Sequence, residues 1–188
     1  MGLFDNLKKT VSAPKESAKP QTGSVTITIQ ALPESLAEMK ALPEASLDSP
    51  FKTAALTVCA LCAYAADAKV GSEMIEWLNG PKEFTNYERS FLNDRFMDGK
   101  YYIPFSYFAG AVPANDYTPD APYSITIEAG PYAYDQEGYA TLYLTSGGAD
   151  SKRPITLRKK ESTGEWFVDN YSGVVVGIRT PKSQDPWA

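Results

Sequence analysis

The chain has 188 residues, 43% of them hydrophobic, with 18 Lys and Arg against 23 Asp and Glu, a net charge of −5 and no histidine. That length and apolar content suffice for one ordinary core plus a tail, and the acidic balance argues against nucleic acid as the main partner, because phosphate binding requires a basic face. Without histidine, His-based triads and the commonest metal ligand are excluded, so no metal and no cofactor is expected.

The opening residues, Met1 to Ser12, set Leu3, Phe4, Leu7 and Val11 on one side of an amphipathic helix, and residues 13–23 (APKESAKPQTG) lack apolar content and are expected to form a flexible linker. Two readings stand for residues 1–12: a disordered start, or a docking segment for a protein partner or a membrane surface, since so short a helix is marginal alone in water. Gly2 does not make a myristoylation site, as Asn6 stands where that motif requires Ser or Thr. No run is long and apolar enough for a signal peptide or a membrane span, so a cytoplasmic location is expected.

The folded part is expected to be a single domain over residues 24–188. It opens with SVTITIQ, in which Val25, Ile27 and Ile29 alternate with Thr26 and Thr28 as in a half-buried strand. Four helices follow. The first spans Pro33 to Leu42 and stops at Pro43. The second starts with Ser49 as cap and Pro50 in the first turn and runs to Ala66, apolar on nearly every side, which is the pattern of a core helix. The third runs from Lys69 to Leu78, with Asn79-Gly80-Pro81 as its stop. The fourth spans Thr85 to Met97, with Thr85 and Glu88 as a capping box.

After Lys100 the sequence turns to β-branched and aromatic residues. Strands are predicted near Tyr101 to Phe108, Tyr123 to Glu128, Tyr139 to Ser146, Arg153 to Lys160, Glu165 to Tyr171 and Val174 to Arg179. The short loops at 146–151 and 162–164 make three consecutive strands an antiparallel meander. Helices followed by such a sheet give an α+β fold.

Three runs carry a resemblance: LPESLAEMKALPEASLDSPFKTAALTVCALCAYAAD, FLNDRFMDGKYYIPFSYFAGA and the closing DPWA. Together they resemble an uncharacterised bacterial domain family of unknown function over about Leu32 to Ala188. The resemblance implies a bacterial protein of unassigned activity and brings no catalytic residues. The order of elements is also similar to the cone-shaped fold of the nuclear-transport-factor and cystatin-like superfamily, a likeness of topology that implies no function.

Candidate chemistry is sparse. Cys59 and Cys62 share a helix face well inside an apolar helix, away from the N-terminal turn that activates redox thiols, and are read as small buried apolar residues. The aromatic stretch Tyr101 to Tyr139 is read either as core and loop filling or as a recognition surface, and in the second case Tyr107, Tyr117, Tyr132 and Tyr134 are its candidate residues. Asp94, Asp98, Asp116, Asp120, Asp135 and Glu137 are read mainly as turn and ion-pair residues, with Asp94 and Arg95 as a pair. Lys152, Arg153, Arg158, Lys159 and Lys160 are read as the charges of an edge strand, or as the contact for an acidic partner. No Gly-rich phosphate motif occurs.

The functional expectation is a non-enzymatic binding or interaction module for a protein partner or a small apolar ligand. The alternative is a hydrolase-like or isomerase-like enzyme using Asp and Tyr in a cone-shaped pocket.

Overall fold

A computed structural model describes residues 20–188. The segment carrying Leu3, Phe4, Leu7 and Val11, and most of the linker, lie outside the described residues. Strand β1 (Gly23–Ile29) comes first, then helices α1 (Leu36–Ala41), α2 (Pro50–Ala66), α3 (Ala68–Asn79) and α4 (Asn86–Phe96), then strands β2 (Tyr123–Ala129), β3 (Tyr139–Leu144), β4 (Arg153–Lys159) and β5 (Trp166–Asn170). The five strands form one open antiparallel sheet in sequence order, so the fold is α+β with a meander.

Local chemistry explains the helices. The Ser49 hydroxyl accepts from the Phe51 amide and Pro50 occupies the first turn, so α2 starts where its unpaired amides find an acceptor. Its apolar residues then run around most of the circumference, and thirteen of seventeen are buried, including Leu56 and Cys59. Such a helix is stable only when enclosed, and here it packs on the sheet and α3 together. Asp67 ends α2 and caps α3, its carboxylate accepting from the Lys69 and Val70 amides. The two helices then cross so closely that a Cβ on Gly71 would overlap the Tyr64 backbone. In α4 the Thr85 hydroxyl and the Glu88 carboxylate satisfy each other's backbone amides.

Two predicted strands are not strands. Residues 101–108 coil into tight 3₁₀ turns, Lys100–Tyr102 and Pro104–Tyr107, and only Phe108 reaches the sheet, in a single bridge to Ile125. Tyr102, Phe105 and Phe108 recur every third residue, the 3₁₀ repeat, and Pro104 favours the first position of such a turn. Residues 174–179 are likewise not a strand: Ser172–Val175 form a 3₁₀ turn and the rest is irregular. Side chains rather than a ladder hold this tail. Tyr107 Oη donates to the Val174 carbonyl at 2.6 Å, and Arg153 donates to that of Gly177 at 2.7 Å. The edge reading of the basic cluster is also corrected, because β4 lies between β3 and β5.

Candidate functional site

The aromatic candidates separate into two roles. Tyr107 and Tyr117 are buried. The Tyr107 hydroxyl is committed to Val174, and burial pushes its pKa above the ordinary range. The Tyr117 hydroxyl donates to the Arg179 carbonyl at 2.7 Å, its ring stacks on Tyr102 at 5.4 Å, and burial, with Tyr102 beside it, pushes it up to about 12. Both tie the C-terminal tail to the body of the molecule. Tyr132, by contrast, is 77% exposed. Tyr134 is half-buried, meets Trp166 edge-on, and donates to the Gln21 carbonyl at 2.9 Å, which fixes the chain as it enters β1.

The remaining candidates are dispersed. Asp94, Asp98, Asp116, Asp120, Asp135 and Glu137 are all exposed. Asp94 pairs with its neighbour Arg95, as expected, and Asp116 accepts from the Ser183 amide at 2.8 Å. Among the described residues no group of three metal-binding side chains converges. Cys59 and Cys62 are free, buried thiols. Burial, then the charge of Glu44, pushes Cys59 up to about 12, and burial, then Cys59, raises Cys62 well above its usual range. In the basic cluster Lys152 pairs with Glu128, Lys159 lies 3.8 Å from Glu161, and Arg158 sits over the Tyr139 ring.

The feature that stands apart is the outer edge of β1. Ile125 and Ile127 of β2 face Ile27 and Val25 in register, whereas Ser124 and Thr126 face Thr28 and Thr26. The carbonyls of Ser124 and Thr126 are taken on the far side of β2, by the Ala109 amide at 2.8 Å and the Thr145 amide at 3.0 Å. In an antiparallel ladder the backbone groups of a residue point to one side together, so the β1–β2 bonds run through Val25 and Ile27. Ser24, Thr26 and Thr28 therefore turn their amides and carbonyls outward. Among the described residues nothing beyond the sheet bonds to them.

Side chains support this assignment. Opposed residues that do not share backbone bonds sit closer together, and here the hydroxyls of Thr28 and Ser124 are 2.9 Å apart. Thr26 and Thr126 repeat the contact at 3.5 Å. The outer face of this corner is thus a double row of hydroxyls. Its inner face, Val25 and Ile27, rests half-buried on the core. The strand GSVTITI contains no charge, no proline and no bulge, the usual devices that discourage pairing at an edge.

Sequence reasoning read SVTITIQ as a strand and missed that it is an edge. Its position is set by the return of β2 from beyond the helical region, which periodicity does not encode. A family model described as "Domain of unknown function (DUF6935)" matches residues 31–182. No curated protein and no solved structure matches the chain. Among the described residues, no helix is long and apolar enough to cross a membrane.

Proposed function

We propose that this chain, which belongs to the DUF6935 family, is a non-enzymatic interaction module that takes an extended segment of a partner protein as a sixth strand on β1. The observation that carries this reading is the row of outward backbone groups at Ser24, Thr26 and Thr28, on a strand without charges. Main-chain bonds along such an edge supply affinity, and the alternating side chains supply choice. The matching segment is itself uncharged. Hydroxyl side chains on one face extend the row of Thr26 and Thr28, and β-branched ones on the other extend Val25 and Ile27.

A seven-residue acetylated peptide copying Ser24–Gln30 is a suitable probe, because its alternation is the one the edge requires. At saturating peptide, the amides of Ser24, Thr26 and Thr28 are expected to exchange with solvent at least tenfold more slowly by NMR. Thr26→Pro removes a central outward amide and is expected to abolish that protection. Unchanged exchange in the parent protein, or equal peptide binding by Thr26→Pro, overturns the proposal.

A further inference from the structure

The alternation that the open edge requires of its partner is already present in β1 itself. The strand Gly23–Ile29 has seven residues, and Thr26 is its centre. Its outward groups fall at Ser24, Thr26 and Thr28, a set symmetric about that centre. A two-fold axis perpendicular to the sheet and passing beside Thr26 therefore sets Ser24 of one copy opposite Thr28 of another, and Thr26 opposite itself. In an antiparallel ladder each such pair exchanges two backbone bonds, so six bonds satisfy the outward amides and carbonyls of both strands. Registers slipped by two residues keep at most two of the three pairs.

The side chains agree with the same axis. On the outer face the central row becomes Thr126 and Thr26 followed by the same two residues of the second copy, which continues the hydroxyl contact at 3.5 Å. On the core face Val25 meets Ile27 of the second copy, so Ile127, Val25, Ile27 and Ile125 form one row of β-branched side chains across the junction. Val25 and Ile27 are half-buried within one chain, and this pairing encloses what is left. Glu128, the charged residue of the neighbouring outer row, lies opposite Ser24 on β2 and is held by Lys152. A strand that lacks charge, proline and bulge carries nothing to reject a copy of itself.

We infer that the chain forms a two-fold symmetric dimer through β1, joining two five-stranded sheets into one continuous sheet. The inference rests on the open edge proposed above and names its occupant as β1 of a second copy. One strand pair makes an interface at the small end of specific contacts, below about 1,200 Å², so the expected Kd is on the order of 100 μM. The chain is then monomeric well below that concentration and dimeric well above it.

The test is sedimentation equilibrium of the full chain over a concentration series that spans the expected Kd. The mean mass is expected to double across the series. Thr26→Lys and Thr26→Glu each set like charges opposite one another at the axis without removing a backbone group. Each alone is expected to weaken association at least tenfold, and an equimolar mixture of the two is expected to restore it as the mixed pair. The net charge of −5 repels the copies while the paired strands carry none, so added salt is expected to tighten the parent dimer. The acetylated Ser24–Gln30 peptide competes for the same groups and is expected to lower the mean mass. A monomer throughout the series, a dimer that the two variants leave intact, a mixture that associates no better than its components, or a dimer dissolved by salt or untouched by the peptide would overturn the inference. A monomeric parent whose Ser24 and Thr28 amides the peptide still protects loses the dimer and keeps the open edge, whereas a monomeric parent that gains no protection loses both.

Discussion

The two edges of the sheet are treated in opposite ways. On β5 both backbone groups of Trp166 are taken, the amide donating to the Leu47 carbonyl at 2.8 Å and the carbonyl accepting from the buried Thr53 hydroxyl at 2.8 Å. Lys82 takes the Asp169 carbonyl farther along. This closure is not free of strain, since Leu47 adopts φ +49°, a left-handed conformation that a branched side chain rarely accepts. On β1 the equivalent groups meet nothing beyond the sheet among the described residues, and the strand carries no charge or proline. Among the described residues, the outward groups of β1 are thus open to a further strand where those of Trp166 and the Asp169 carbonyl are not.

The largest expected effect comes from breaking the sealed side. Gly80 ends α3 with φ +59°, and a side chain there runs into the ring of Phe167 on β5. Gly80→Val combines an unfavourable backbone with overpacking and is expected to cost about 3 kcal/mol in a denaturant titration followed by Trp fluorescence. Next is Thr53→Val, which keeps the shape of a buried residue but deprives the Trp166 carbonyl of its donor. It is expected to lower stability by about 1–2 kcal/mol. Thr26→Pro on the open edge should change least, under about 1 kcal/mol, because its amide contributes to no ladder bond. If Thr26→Pro costs more than Thr53→Val, the contrast between the edges fails.

How far the sequence reveals all this depends on whether the deciding interaction is local. The start of α2 was legible because Ser49 and Pro50 act within one turn, and that of α4 because Thr85 and Glu88 lie three residues apart. The alternation in β1 was legible for the same reason. Tyr102, Phe105 and Phe108 misled because aromatic content argues for a strand while their spacing of three argues for 3₁₀ turns, and the spacing won. The valines after Gly173 read as a strand, yet the carbonyls of Val174 and Gly177 are bonded by side chains from distant positions, Tyr107 and Arg153.

To the residues of the proposed edge, composition did not point. Tyr107 and Tyr117 drew notice as aromatics but turn inward to hold the tail. Thr26 and Thr28 read only as the polar half of a strand. What makes them a site is β2, which takes the other side of β1 after the helical region, an arrangement no local pattern records.

The pairing of β1 with β2 has a further consequence for synthesis. Ile29 is matched in register with Tyr123, so during translation the first strand leaves the ribosome and finds no mate until the whole helical region has followed. At roughly 5–20 residues per second, that wait is on the order of 5–20 s. Throughout it, both sides of an uncharged, β-prone heptad are open to any neighbouring nascent chain.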